Sequence, residues 1–214
     1  MSPTRRTIVS LGIALLTTVA SLVVYPDLPQ QMAVHFDATG QPDDYLSKPF
    51  AVGLLPALAV GLTALVAFSP RLDPLGENFA AFQRYYDLVA VVTVGILAYV
   101  HGLVLAYNLG YAFQMQQVLA PMLAVVGVTF GYVIEHAEQN WFVGIRTPWT
   151  LSSEEVWKRT NERSGILFKI AGVVALLAIP FPEYFVYVAI APLALAALIP
   201  TVYSYVLYRR LETA

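Results

Sequence analysis

The sequence lacks cysteine altogether and is poor in charged residues. Without cysteine, the chain can form no disulfide, no thiol nucleophile and no cysteine-ligated metal site. Charged residues make up 12% of its 214 residues, whereas soluble domains carry about 25%. Because a charge at the centre of a bilayer costs several kcal/mol, this shortage indicates a chain that is embedded in a membrane.

The motifs of common hydrolases are also absent. Neither HExxH, which would mark a zinc peptidase, nor GxSxG, which would mark a serine hydrolase, occurs in the chain. No basic patch lies in a soluble segment, which argues against direct nucleic-acid binding. We therefore predict no enzymatic activity, no cofactor and no bound metal.

Long apolar runs are what the chain has in abundance. Six of them are each about as long as the ~20 residues that cross ~30 Å of hydrocarbon: 7–25, 49–68, 86–107, 115–134, 165–180 and 185–208. They predict an all-α fold, a polytopic membrane helix bundle of six transmembrane helices that forms one membrane domain over 1–214. The longer connections are residues 26–48, 69–85 and 135–164.

The basic residues fall on one side of this arrangement. If the N-terminus is cytoplasmic, every one of the 12 lysines and arginines except Lys48 lies at the cytoplasmic side. By the positive-inside rule, this predicts a multi-pass protein of the plasma membrane with both termini in the cytoplasm. Residues 26–48 then form an outer loop, and residues 69–85 and 135–164 form inner loops.

The outer loop contains turn-forming residues. Asp37–Gly40 and Gln41–Asp44 favour tight turns, since glycine supplies positive φ and Asp and Pro stabilise turns. We expect a folded cap in which Ala33–Phe36 forms a short strand. Four acidic residues in this loop would attract a positively charged peptide: Asp27, Asp37, Asp43 and Asp44.

Two histidines on the outer side are candidate ligand contacts. His35 and Asp37 alternate, so on a strand they share a face and could begin a divalent metal site. The alternative is that Asp37 and Asp43 bond amides of their own turns while His35 packs beside them. His101 lies inside the third predicted helix, where an ionisable group is either a functional residue or part of a helix–helix hydrogen bond. We name Tyr99, Tyr107, Asn108 or a backbone carbonyl as its partner in the second case.

The long inner loop holds all three tryptophans, spaced by eight residues, together with several basic residues. Tryptophan and arginine at this boundary are typical of interfacial anchors. Ser152 and Glu155 have the spacing of a capping box. They predict a helix through 156–164 that continues into the fifth span, after a stop at Thr147-Pro148.

Two strings in the sequence resemble motifs of a known family. The outer string runs from His35-Phe36-Asp37 to Ser47-Lys48, followed by Pro49-Phe50. The inner string, NWFVGIRTPWTLS, starts at Asn140 and continues through Trp157 and Asn161 to Gly165. Both resemble motifs of SdpI-family membrane proteins and occur in the expected order.

That resemblance implies an integral membrane immunity and signalling protein without enzymatic activity. It would sense or neutralise a secreted, membrane-active peptide toxin of the sporulation-delay system at its outer face. At its inner face it would hold a cytosolic transcriptional repressor. A small-molecule or ion transporter, or a membrane-stress protein of unknown ligand, remains the alternative, with His101 and the proline-bearing helices as its motive.

The candidate residues follow from this division into two faces. Candidate peptide contacts are His35, Asp37, Asp43, Asp44, Tyr45, Lys48 and His101. Candidate contacts with a cytosolic partner are Trp141, Gly144, Arg146, Thr147, Trp149, Trp157, Arg159 and Asn161.

Overall fold

The computed structural model describes residues 2–37, 39–68, 76–140 and 143–212. Where the sequence predicts one membrane domain, the chain divides into two compact units, Met1–Met115 and Gln116–Ala214. We call them unit 1 and unit 2.

Unit 1 contains three long helices and one β hairpin. Its elements in chain order are α1 (Pro3–Val24), β1 (Gln31–Phe36), β2 (Pro42–Ser47), α2 (Lys48–Phe68) and α3 (Gly76–Asn108). The Ser2 side chain caps α1 by accepting a hydrogen bond from the Arg5 N–H at 3.3 Å, which satisfies one of the free N–H groups of the first turn. A single 3-10 turn, Tyr25–Asp27, leads from α1 towards the hairpin.

The hairpin occupies the predicted outer loop. Its strands pair antiparallel, and the turn closes with a 2.9 Å hydrogen bond from the Asp37 N–H to the Gln41 carbonyl. Gly40 takes φ 83° within this turn, a conformation that favours glycine. The prediction of a strand over Ala33–Phe36 is confirmed, and the strand begins earlier, at Gln31.

Apolar side chains hold the hairpin against the helix ends of unit 1. Met32 is fully buried and packs in one cluster with Val52 of α2 and with Val104 and Leu105 of α3. Removal of these side chains from solvent stabilises the hairpin. The connection is therefore a folded cap, as the turn residues predict.

From Met115 onward, the described chain contains four α-helices. The elements are α4 (Met115–Glu135), α5 (Pro148–Ser152), α6 (Glu154–Ala175) and α7 (Ala191–Glu212). Two 3-10 turns and a π-helical turn connect α6 to α7, at Leu176–Ala178, Pro182–Tyr184 and Val186–Ile190.

Glycines allow α4 and α6 to approach each other closely. A Cβ atom on Gly131 would lie 2.5 Å from the carbonyl oxygen of Gly165, and one on Gly127 would lie 2.8 Å from the Cα of Gly172. Small residues four apart are typical of helix contacts within membranes. At the end of this contact, Lys169 and Glu135 form an ion pair at 2.6 Å.

Five helices of the described chain are long and apolar enough to cross a membrane. They comprise Thr4–Asp27, Lys48–Phe68, Gln83–Asn108, Met115–Glu135 and Val186–Glu212. Large apolar side chains on them are exposed, such as Leu16 at 71% and Val202 at 67%, as lipid-facing surfaces require. The chain is thus a multi-pass helical membrane protein.

The sixth predicted span, 165–180, is not among these five helices. The α-helix that contains its first half ends at Ala175, and Lys169 lies within the predicted span. Toward its start, α6 carries further charged residues, which lower its hydropathy: Glu154, Glu155, Lys158, Arg159, Glu162 and Arg163. Six spans, and the orientation with both termini inside, stay predictions.

Two predicted loop features differ from the structure. The predicted loop 69–85 is helical from residue 76, because neither proline nor glycine interrupts the chain between Gly76 and Gly95; residues 69–75 lie outside the described part. The cap of α6 is Ser153 rather than Ser152, since Ser152 ends α5 and Ser153 accepts from the Val156 N–H. The continuous helix through 156–164 is confirmed.

Candidate functional site

The tip of the hairpin is organised by Asp37. One oxygen of its carboxylate accepts hydrogen bonds from the Thr39 N–H and hydroxyl at 2.8 and 2.7 Å and from the Gln41 N–H at 3.0 Å. The Thr39 hydroxyl, followed by the Gln41 N–H, lowers the pKa of Asp37 below its ordinary 3.8. Asp37 thus bonds the amides of its own turn, as one of the two alternatives predicts.

His35 and Asp43 form an exposed pair across the two strands. Nδ1 of His35 lies 2.6 Å from a carboxylate oxygen of Asp43. This hydrogen bond and the Asp43 charge raise the pKa of His35 above its ordinary 6.5, and Asp44 and Asp37 add to the effect. Among the described residues, no cluster of three potential metal ligands occurs.

The hairpin presents a strongly acidic surface. Asp27, Asp37, Asp43 and Asp44 are all exposed, whereas Lys48 is only 5% exposed. The Lys48 ammonium lies 4.6 Å from the centre of the Tyr25 ring, within the range of a cation–π contact.

Tyr45 projects from the second strand. Its side chain is exposed, and its backbone N–H donates to the Asp44 carboxylate at 2.8 Å. An exposed aromatic ring next to two aspartates, Asp43 and Asp44, is suited to contact with both the apolar and the cationic groups of a peptide.

Asn108 joins the hairpin to α3. Its side-chain amide accepts from the Ala33 N–H and donates to the Ala33 carbonyl, both at 2.9 Å. The rings of Phe36 and Tyr107 add an edge-to-face contact at 4.7 Å between centroids. A movement of the hairpin is therefore coupled directly to the end of α3.

About two turns before Asn108 in α3, His101 is fully buried and hydrogen-bonded to α1. Its Nε2 lies 2.6 Å from the Ser21 hydroxyl, which donates its only proton to the Thr17 carbonyl at 2.8 Å. The predicted helix–helix hydrogen bond of His101 is confirmed. The predicted partners were wrong, because the bond is formed with Ser21 of α1.

The opposite end of unit 1 contains a buried ion pair that the sequence reasoning missed. Arg6 of α1 and Asp87 of α3 are 2.7 Å apart, with side chains 3% and 1% exposed. Arg6 also donates to the Val66 carbonyl of α2, and Gln83 donates to Asp87. Arg6 and Asp87 lie near the ends of two different predicted helices. No local sequence pattern therefore links the two charges.

In unit 2, the loop between α4 and α6 folds around Asn161. We call residues 136–153 the tryptophan loop. The side-chain oxygen of Asn161 accepts from the Ile145 N–H at 2.7 Å, and its amide donates to the Trp157 carbonyl. Gly144, at φ 124°, passes so close that a Cβ there would lie 2.7 Å from the same oxygen. Asn161 and Gly144 therefore fix the path of the loop.

Threonine and tryptophan side chains complete this packing. Trp157 is 2% exposed and donates its indole N–H to the Ala137 carbonyl at 2.8 Å. Thr147 and Thr150 form a capping box for α5, and the buried Thr150 hydroxyl donates within the loop. Trp149 donates to Ser204 of α7 at 2.5 Å. Trp157 and Asn161 are both buried. They therefore stabilise the loop and do not form part of its surface.

The exposed residues of this region carry both signs of charge: Arg146, Lys158, Arg159 and Arg163 lie among Glu138, Glu154, Glu155 and Glu162. Arg146 and Arg159 are exposed, and Arg159 pairs with Glu155 at 2.5 Å. Thr147 and Trp149 are half-buried. Trp141 lies outside the described residues. Of the candidate partner contacts, Arg146, Thr147, Trp149 and Arg159 have surface that a partner can reach.

Comparisons with known proteins cover both regions. A model described as the SdpI/YfhL protein family matches residues 136–204, from the tryptophan loop into α7. A model described as a domain of unknown function, DUF1648, matches residues 12–60, which include the hairpin.

One curated protein is similar along nearly the whole chain. It is the immunity protein SdpI of Bacillus subtilis (strain 168), with 27% identity over 210 residues, which cover 97% of this chain and 98% of that protein. No solved structure matches this chain. The two matched segments, with the similarity over the full length, identify the chain as an SdpI-family protein.

Proposed function

We propose that this chain is a membrane immunity protein that recognises a secreted, membrane-active peptide toxin through its hairpin. The observation that supports the proposal most strongly is the set of three exposed aspartates on a folded hairpin, with exposed Asp27 in the turn before it and a buried neighbouring lysine. Such a surface attracts the positive groups of a peptide, including its amino terminus, and orients it at the membrane. In this proposal the hairpin faces outward, and both termini are cytoplasmic.

The sequence of a curated immunity protein supports the same function. The similarity to that relative covers 97% of this chain and 98% of the relative. The proposal requires no catalysis, because binding at the hairpin is enough to keep a peptide from the bilayer.

A growth assay tests this function. A host sensitive to the sporulation-delay peptide toxin would express the wild-type chain, an empty vector, or an Asp43→Asn/Asp44→Asn double variant. We expect the wild-type chain to protect and the double variant to protect much less at equal membrane abundance, because two of the four aspartates lose their charge. An Asp73→Asn variant is a control of the same chemistry in the predicted inner loop 69–85.

If the double variant protected cells as well as the wild-type chain does, the hairpin aspartates would have no part in toxin recognition. If the wild-type chain were inserted in the membrane and gave no protection, the proposal of immunity against this toxin would be wrong. Flux of a small molecule that depends on His101 would then favour the transporter alternative.

At the opposite face, we propose that the tryptophan loop binds a cytosolic regulator. Arg146 and Arg159 supply exposed charge, and Trp149 supplies a half-buried aromatic surface of the kind that anchors protein interfaces. Gly144, Trp157 and Asn161 contribute by fixing the loop. The regulator is a transcriptional repressor that is held at the membrane while toxin is bound.

Fluorescence of a tagged candidate repressor tests this second face. In cells with toxin, the repressor should move to the membrane with the wild-type chain and remain in the cytosol with an Arg146→Ala/Arg159→Ala variant. Arg210→Ala in α7 serves as a basic control. Retention of the repressor by the double variant would contradict a role for this surface.

A further inference from the structure

A groove of about 580 Å³ lies between α1 and α2, in the half of these helices that is nearer the hairpin. Its walls include Ser21, Leu22 and Tyr25 from α1 and Val52, Gly53 and Ala57 from α2. The volume is within the ~300–1,000 Å³ range of ligand pockets. Gly53 and Ala57, four residues apart, leave the space that larger side chains would fill.

The walls of this groove are apolar despite their hydroxyl groups. Thr18, which also lines it, donates to the Ala14 carbonyl at 2.8 Å, and Ser21 donates to the Thr17 carbonyl. Both hydroxyls are thus satisfied within α1. An occupant of the groove therefore gains from van der Waals packing against its walls rather than from hydrogen bonds.

One exposed carboxylate lies beyond the end of the groove that is nearer the hairpin. Asp27 is exposed and lies two residues beyond Tyr25, a wall residue. The one lysine at this end, Lys48, is stacked on Tyr25 and almost fully buried. An occupant that fits both parts has an apolar segment and a positive group at one end.

We propose that this groove binds the apolar segment of a membrane-active peptide, while the amino terminus or basic side chains of the peptide meet Asp27 and the hairpin aspartates. This inference rests on the proposed immunity function and names the seat of the toxin. The exposed carboxylates of Asp27 and of the hairpin disfavour the anionic headgroup of a lipid, which is the competing occupant. Bound in this way, the peptide is kept beside α1 and α2 and does not assemble in the bilayer.

Two glycines of α2 provide a matched test. Gly53 lines the groove and Gly61 does not, yet both are exposed and neither has an atom within 4 Å of the Cβ that a substitution would add. Gly53→Leu should fill the groove, and Gly61→Leu should add the same side chain to another part of the same helix. Both variants should therefore insert and fold alike.

Sensitive cells that express each variant would be challenged with the sporulation-delay peptide toxin. We expect Gly61→Leu to protect like the wild-type chain and Gly53→Leu to fail at a toxin concentration about tenfold lower, because an overfilled site binds more weakly. Equal protection by Gly53→Leu and Gly61→Leu would overturn the groove as the seat of the toxin. Failure of the wild-type chain to protect would instead refute the proposed function, and the groove proposal with it.

Photocrosslinking gives a second readout that does not depend on the leucine variants. The crosslinker p-benzoylphenylalanine would replace Ala57 in the groove or, as a control, the exposed Leu65. We expect toxin to crosslink at position 57 and not at position 65. Crosslinks at position 57 to lipid alone, with toxin present, would overturn the proposal and assign the groove to lipid.

Discussion

At the scale of single residues, the hairpin and the tryptophan loop use polar side chains differently. On the hairpin, carboxylates are exposed and organise turns, whereas the tryptophan loop is held by the buried amide of Asn161 in α6. The exposed groups are available to a ligand, and the buried one replaces backbone hydrogen bonds that a loop lacks. Substitutions in these two regions should therefore have different consequences, for binding in one case and for folding in the other.

The His35–Asp43 pair makes the hairpin sensitive to pH. Because the folded-state pKa of His35 is raised, its contribution to stability is fully present below pH ~6.5. That contribution is lost as the pH rises through the raised value. In an NMR titration of the protein in micelles, His35 should titrate above 6.5, and Asp43→Asn should lower its pKa.

Asp37→Asn serves as the control for this titration, because Asp37 contributes to the shift less than Asp43 and Asp44 do. It should move the His35 pKa less than Asp43→Asn does. An unchanged His35 titration in Asp43→Asn would show that the pair does not form in solution.

Gly144→Ala should destabilise unit 2. The substitution places a Cβ at φ 124° and 2.7 Å from the Asn161 side-chain oxygen, and strained positions of this kind cost about 1–3 kcal/mol. Thermal unfolding followed by tryptophan fluorescence measures the change. Gly95→Ala, where a Cβ has open space, should be neutral or stabilising; an equal loss in both variants would contradict the steric cause.

At the scale of elements, α1 is joined to α3 at two separate levels. The Ser21–His101 hydrogen bond lies towards the hairpin, and the Arg6–Asp87 ion pair lies at the other end. Between them, Ala14 and Val94 pack with Ala59 of α2. The helices α1 and α3 of unit 1 are therefore fixed to each other along most of the length of α1.

Removal of one partner of the Arg6–Asp87 pair should be costly. Asp87→Ala leaves the Arg6 charge buried, and such changes typically destabilise by about 3–5 kcal/mol. Arg6→Met/Asp87→Leu, which removes both charges, should recover most of that loss in a denaturant titration of the purified protein. A double variant as unstable as the single one would show that the cost does not arise from an unpaired charge.

Sequence patterns predicted these elements unevenly. Turn residues were enough to predict the cap over 26–48, since Asp37 and Gly40 act locally. The contacts of Ser21 and Asp87 with residues about eighty positions away have no local signal, because a serine in an apolar helix forms its intrahelical bond in any fold. The end of α6 was misjudged for a related reason: apolar residues continue past Ala175, and the change to 3-10 turns depends on packing in unit 2.

At the scale of the whole molecule, the orientation in the membrane decides which face meets the toxin. Because the chain has no cysteine, single cysteines can be introduced without background. Asp43→Cys on the hairpin should react with a membrane-impermeant maleimide in intact cells. Ser152→Cys in the tryptophan loop should react only after the membrane is permeabilised; the reverse pattern would invert the proposed orientation.

Family membership connects these scales. The tryptophan loop falls in the segment that the SdpI/YfhL family model matches, and the hairpin falls in the segment that the DUF1648 model matches. Their candidate residues could be named from the sequence because they form continuous strings, and their roles in binding stay predictions. The roles within each string, exposed in Arg146 and buried in Asn161, needed the folded chain.

Binding of the toxin to purified protein in liposomes addresses toxin recognition most directly. A fluorescent sporulation-delay peptide would be titrated against wild-type protein and the Asp43→Asn/Asp44→Asn variant, at low and high salt. We predict that the wild-type protein binds the peptide, that binding weakens with added salt because exposed charges are screened, and that the variant binds more weakly with less dependence on salt. Equal binding by both proteins at every salt concentration would contradict recognition by the acidic hairpin.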